Sequence, residues 1–569
     1  MKKLLRNFPL RWVPASLDWD DGAATAPLFD ALEKDAGTKD LGAWVARWSE
    51  LESAFNEEGA RRYVAMTCDT ADPAKEKTYL HFETVVSSAA KPRWQKLKTL
   101  YLAHPGRRRL PAARFAVMDK FIANEAELYR DANVPLEAED AELRQKYQKL
   151  TGDMTVSFDG REQTLAQMGK VLEETDRERR RQAWTLVAER RLRDRDALED
   201  LYDRMLRLRT RIARNAGFEN YRDYAFRAKG RFDYTPKHCF DFHRANEKAV
   251  VPALRARQER RKRLLGVDVL RPWDLAVDPE GRPPLRPFKT SAELVEGCSR
   301  IFRKVHPDFH KMFETIRKKG YLDLDSRKGK APGGYQIVFE VERAPFIFTN
   351  AAGLHRDVET LLHEGGHAFH SLQCRNLEPR FNRDYPTEFA EVASMGMELL
   401  GQPYLEEFYG TAEADRARAE HLEGLLSTYP WVATIDAFQH WAYADPEHSR
   451  TDRRNAWLDL RRRLGGAEDW SGHEDAQAHA WHRQLHLFTV PFYYIEYGIA
   501  QTGALQVWRN ARTKGRSKAV GAYRRAEAMG WTRTLPELFR AAGLRFDFSE
   551  KTIGPLIRLA LADLEKLDG

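Results

Sequence analysis

At 569 residues the chain is longer than one hydrophobic core readily grows, so at least two lobes are expected. Hydrophobic residues at 42% and aromatics at 11%, with 14 Trp and 29 Phe, exclude a disordered or fibrous polypeptide. The net charge of +8 is the small remainder of 93 basic against 85 acidic side chains, which does not point to nucleic acid. Runs such as Arg107-Arg108-Arg109 and Arg179-Arg180-Arg181 read as solvated surface, the second lying among Asp176, Glu178 and Glu189.

In chain order, the segment from Met1 to Trp12 interrupts its apolar run with Arg6, Asn7 and Pro9, which argues against a signal peptide. No later stretch has the apolar length to cross a bilayer, so no membrane association is expected. Cys68, Cys239, Cys298 and Cys374 are scattered without CxxC spacing. They suggest a reduced, cytoplasmic setting, with neither a disulfide framework nor a thiolate zinc site.

Residues 1–182 read as an amino-terminal helical region with a short hairpin near 154–163, where alternation from Met154 runs into Asp159-Gly160. Thr175-Asp-Arg-Glu178 has the form of a capping box. It opens a long helical segment with apolar Leu198, Leu201, Met205, Leu208 and Ile212, which Asn215-Ala216-Gly217 can end. Residues 183–569 are set apart as the region carrying the chemistry. Within it, Leu270 to Pro284 holds four prolines and is read as loop. Tyr335-Gln-Ile-Val-Phe and Pro345-Phe-Ile-Phe-Thr-Asn follow as two adjacent strands.

The stretch from Val358 to Leu372 carries apolar residues at Val358, Leu361, Leu362, Phe369 and Leu372, as a partly buried helix would. On that helix His363 and His367 of His363-Glu364-Gly365-Gly366-His367 project from one face, so two imidazoles can share one zinc. Glu364, about 100° around the helix, is placed to reach water at that metal as a general base. Each glycine inside a helix costs about 1 kcal/mol relative to alanine, so the pair suggests a close approach by a neighbouring backbone. A catalytic zinc needs a third protein ligand. The helix expected from Thr387 onward presents Glu388, Glu391 and Glu398 on one acidic face, and spacing alone does not choose among them.

His363-Glu364-Gly-Gly-His367 followed by Phe389-Ala-Glu391-Val-Ala-Ser-Met-Gly-Met-Glu398 resembles the thimet oligopeptidase and oligoendopeptidase F family of zinc metallopeptidases. The resemblance implies Glu391 as third metal ligand, with Glu398 supporting the site from outside. It also implies that Pro345 to Gly353 forms a substrate-side edge whose backbone could pair with an extended peptide. His486-Leu-Phe-Thr-Val-Pro-Phe-Tyr493-Tyr494-Ile-Glu-Tyr497 is similar to the family's His and tyrosine cluster, which implies oxyanion donors. Its register departs from the thimet branch, leaving Tyr493, Tyr494 and Tyr497 open, with Tyr497 taken first and Tyr494 second. The likeness covers most of the chain from about residue 150, including Asn215 to Tyr224. His370 resembles a family position without a ligand role, and His355 and His440 are taken as structural.

The expected protein is mainly α-helical and two-lobed, with a small β-sheet beside the zinc helix and, as the family implies, a deep central channel. Its expected activity is zinc-dependent endopeptidase cleavage of short peptides, with one zinc per chain. The rivals are a zinc carboxypeptidase and a non-catalytic peptide- or nucleic-acid-binding protein that retains the motif.

Overall fold

Large apolar side chains set the helices of the first 127 residues. Along the Leu41–Cys68 helix, Leu41, Trp44, Val45, Trp48, Leu51 and Phe55 recur at three and four residues and are buried. They pack with Phe29 and Leu32 of the Ala26–Lys34 helix and with Leu97 and Tyr101 of the Ser88–Ala103 helix. Each fully buried side chain of this kind contributes roughly 1.5–3 kcal/mol. Asp40 caps the long helix by accepting from the Ala43 amide at 2.9 Å.

The computed structural model describes residues 8–21 and 23–568, so Met1 to Asn7 of the segment read for a leader lies outside the described residues. The chain is mainly helical with two small sheets. No helix among the described residues is long and apolar enough to cross a membrane. Packing divides the chain into two compact units, each drawn from three separate stretches. The first takes the described residues of Met1–Glu127 with Arg286–Ala417 and Gly503–Phe546. The second takes Leu128–Leu285, Arg418–Thr502 and the described residues of Asp547–Gly569.

The second unit contains the expected hairpin, β1 (Thr155–Phe158) paired antiparallel with β2 (Arg161–Thr164). Asp159 and Gly160 both take positive φ, 52° and 71°, as a tight two-residue turn requires. The capping reading is corrected by one residue: Asp176, not Thr175, caps the Arg177–Arg193 helix by accepting from the Glu178 and Arg179 amides. The long helical segment is likewise broken at Asp194, with a new helix at Arg195–Asn215 that ends before Gly217 at φ +88°. The proline-rich stretch is loop, apart from one 3₁₀ turn at Pro272–Asp274.

In the first unit, β3 (Leu322–Asp325), β4 (Tyr335–Phe339) and β5 (Ala344–Ala351) form a sheet in the order β3-β5-β4. The two expected strands are present and antiparallel, and β3 pairs with β5 in parallel. The order places β5 between its neighbours: it pairs with β4 from Ala344 to Phe348 and with β3 from Ile347 to Ala351, so within the segment expected to offer an edge only the residues after Phe348 lack a β4 partner. Phe339, Phe346 and Phe348 pack with Ala60 of the long amino-terminal helix, while Phe348 stacks on Tyr335 at 4.7 Å.

Candidate metal centre

The central strand β5 leads into the His355–Cys374 helix through a turn fixed by Asp357, whose Oδ2 accepts from the Ala352 and Leu354 amides at 2.7 and 2.8 Å. Val358, Leu361, Leu362 and Phe369 are wholly buried, which fixes the rotation of the helix and hence where its histidines point. The two glycines have separate reasons. A Cβ on Gly365 would lie 2.6 Å from the ring of Phe302 on the Ser291–Val305 helix. A Cβ on Gly366 would lie 2.6 Å from both the Ala393 carbonyl oxygen and Ser394 Cα, on the Thr387–Gly401 helix. The close backbone approach expected from the Gly-Gly pair is therefore present, and it brings the glutamate helix against the histidine helix.

That contact gathers the donors. One ligand atom from each of His363, His367 and Glu391 lies within 4.8 Å of the others. Glu391 Oε2 is 3.4 Å from His363 Nε2 and 3.7 Å from His367 Nε2. Donors about 2.0–2.1 Å from a tetrahedral zinc stand roughly 3.3 Å apart, so two imidazoles and a carboxylate at this spacing fit the ion. His363 Nδ1 donates to Glu398 Oε1 at 2.6 Å, which leaves Nε2 as the free lone pair. Ser394 Oγ donates to Glu391 Oε2 at 3.0 Å, and Tyr523 donates to the Ala393 carbonyl behind it. Glu388 is buried as well, not a surface residue.

Glu364 is buried beside this group, and its Oε2 has no hydrogen-bond partner. Burial, reinforced by Glu391 and Glu398, pushes its pKa up to about 7. Burial also lowers His367 to about 4, which keeps the imidazole neutral, as a metal ligand must be. For Glu391 burial acts upward, but His363 and His367 outweigh it and hold the carboxyl at about 2.

His486, Tyr493, Tyr494 and Tyr497 belong to the second unit, where they form one aromatic group. The His486 ring centroid is 4.8 Å from Tyr494 and 5.9 Å from Tyr497. Two positioning residues missed in the sequence stand behind it. Trp431 Nε1 donates to Gln484 Oε1 at 2.9 Å, which orients the amide so that Gln484 Nε2 donates to His486 Nδ1 at 2.7 Å. The histidine proton is thereby placed on Nε2, making that atom a donor. Burial, with Lys229 nearby, lowers the His486 pKa to about 4, so the ring is neutral near pH 7. No sequence signal marks Gln484, because its role depends on a tryptophan far along the chain.

His355, His370 and His440 are not part of the ligand group of His363, His367 and Glu391. His370 is fully buried and stacked on Tyr385 at 3.6 Å, and His355 Nδ1 pairs with the Tyr409 hydroxyl at 2.8 Å. His440 lies in the second unit beside Asp436.

The chain is similar to several known peptidases. Oligoendopeptidase F, chromosomal, of Lactococcus lactis subsp. cremoris is 24% identical over 249 residues, covering 43% of this chain and 39% of that protein. An oligoendopeptidase F homolog of Lactococcus lactis subsp. lactis is 25% identical over 176 residues, covering 31% of this chain and 29% of the relative. The matches thus span under two fifths of these curated relatives. The solved structure of PZ peptidase A with an inhibitor superposes with a TM-score of 0.87 at 26% identity, covering 96% of each chain. Residues 171–554, which include every candidate ligand, match the profile of peptidase family M3. The chain belongs to peptidase family M3, a family of metallopeptidases.

Proposed function

We propose that this protein is a zinc-dependent endopeptidase that hydrolyses internal bonds of short oligopeptides, holding one catalytic zinc per chain with His363, His367 and Glu391. The observation that carries this reading is the convergence of two imidazoles and a carboxylate beside a buried glutamate that has an unpartnered oxygen. Bound there, zinc would supply Lewis acidity, polarising the scissile carbonyl and making water more acidic. Glu364 takes the proton from the attacking water and returns it to the leaving amine. Glu398 holds the His363 ring through Nδ1. His486, Tyr497 and Tyr494 are proposed as hydrogen-bond donors to the oxyanion, supported by the family resemblance and by the Nε2–H tautomer that Gln484 imposes. Short peptides are the proposed substrates, as the names of the relatives suggest, and a cytoplasmic setting is proposed from four free cysteines.

The test is an end-blocked, internally quenched peptide with product mapping. Internal cleavage by the zinc-loaded protein, lost in Glu364→Gln with zinc still bound, is the expected result. Release of carboxyl-terminal residues alone would favour a carboxypeptidase. Unchanged hydrolysis by Glu364→Gln would remove the mechanism.

A further inference from the structure

The second unit contains another convergence of metal-ligating side chains, which cysteine spacing did not reveal. Cys239 lies on the Pro236–Ala245 helix, while Asp436 and His440 lie one turn apart on the Thr411–Ala444 helix and so share a face. The packing of these helices places one ligand atom from each of the three residues within 4.8 Å of the others. Cys239 and Asp436 are 0% exposed and His440 is 4% exposed.

Hydrogen bonding leaves this cluster incomplete. His243 Nε2 donates to Asp436 Oδ2 at 2.8 Å, which accounts for one carboxylate oxygen. Asp436 Oδ1 and His440 Nδ1 are buried without a hydrogen-bond partner. Leaving such atoms unsatisfied away from water costs about 1–3 kcal/mol each, and more where the group is charged. His440 Nε2 nevertheless sits 3.3 Å from Asp436 Oδ2, close to the roughly 3.3 Å that separates nitrogen and oxygen ligands on a tetrahedral ion. A thiol, an imidazole and a carboxylate meeting in a buried cluster form a donor set that suits zinc rather than magnesium or calcium. His243, bonded to the carboxylate from behind, is placed as the outer partner that orients a ligating group.

We propose that Cys239, Asp436 and His440 form a second zinc-class site, separate from the His363, His367 and Glu391 group, that ties the Pro236–Ala245 helix to the Thr411–Ala444 helix. On binding, the Cys239 thiol proton passes to solvent and the sulfur ligates as thiolate. His440 and His243 also line a cavity of about 500 Å³ together with Arg222, Phe240 and Trp441, which gives an ion a way in.

Cobalt(II) titration of the metal-free, full-length protein separates the two centres, because the group in the first unit contains no sulfur. A thiolate bound to cobalt absorbs in the near ultraviolet, so the wild-type protein should develop that band and Cys239→Ser should not. Zinc analysis should find two ions per chain in the wild type and one in either Cys239→Ser or His367→Ala. The band should survive in His367→Ala, so failure of the catalytic reading would not be mistaken for failure of this one. A wild-type protein that shows no near-ultraviolet band, or a band that persists in Cys239→Ser, overturns the proposal. Should Cys239→Ser misfold, Cys239→Ala serves in its place and should likewise lack the band, because the other free thiols are not part of the cluster.

Discussion

Adding a single methyl group at Gly366 tests how the metal centre is assembled. In Gly366→Ala the new Cβ would stand 2.6 Å from the Ala393 carbonyl oxygen and from Ser394 Cα, against 3.4 Å for ordinary contact. Both obstacles are backbone, so relief requires the two helices to part by up to about 0.8 Å. Glu391 lies two residues before Ala393 and moves with it, whereas metal–ligand distances tolerate only about ±0.2 Å. Overpacking costs about 1–3 kcal/mol and alanine returns about 1 kcal/mol of helix propensity, so stability should fall by at most about 2 kcal/mol. Zinc affinity should fall at least tenfold, about 1.4 kcal/mol, because the carboxylate has left its position. Chelator competition measures the affinity and thermal unfolding the stability. Gly424→Ala is the control: it is helical with nothing within 4 Å of the added carbon, and it should be neutral or stabilising by up to about 1 kcal/mol. Wild-type zinc affinity and turnover in Gly366→Ala would refute the argument that helix contact positions the carboxylate.

Glu398→Ala should weaken zinc binding by about 10–100-fold with the fold intact, measured by the same competition, because His363 loses the acceptor that orients it. Gln484→Leu should lower kcat more than KM, since the donor that sets the His486 tautomer disappears while substrate contacts remain; wild-type kcat for Gln484→Leu in a peptide assay would contradict a tautomeric role. Glu527 is fully buried, and burial raises its pKa to about 8 from 4.5. A raised folded-state pKa stabilises below the unfolded value and is lost as pH climbs through the folded one, so between pH 4.5 and about 8 this residue should erode stability by about 1.4 kcal/mol per pH unit. Glu527→Gln should flatten that slope in denaturant melts, and an unchanged slope would show that the carboxyl does not titrate there.

The histidine helix and the start of the glutamate helix at Thr387 were legible because both signals are local: apolar periodicity, a flanking proline and a motif one turn long. What stayed hidden depends on partners remote in sequence. β3 is only four residues long and becomes a strand through parallel pairing with β5, so its presence, and with it the central rather than edge position of β5, could not be read from either segment. The apolar positions from Leu198 to Ile212 all lie on the second of the two helices, so their rhythm does not see the break at Asp194. Spacing did not choose among Glu388, Glu391 and Glu398, because the Thr387–Gly401 helix is buried around much of its circumference and only packing against the histidine helix separates them. At the candidate site, the adjacency of Glu364 to the ligands followed from helix geometry, whereas Trp431 and Gln484 had no pattern to betray them. Cysteine spacing likewise carries no signal for the meeting of Cys239 with Asp436 and His440, which arises only after two helices pack.

The Tyr523 hydroxyl that braces the Ala393 carbonyl belongs to a stretch translated well after the histidine helix and the glutamate helix. During synthesis on the ribosome, the histidines and Glu391 therefore emerge before the tyrosine that backs them. Nascent chains stalled before Gly503 should capture metal loosely, and firm capture should await arrival of the Arg516–Glu527 helix.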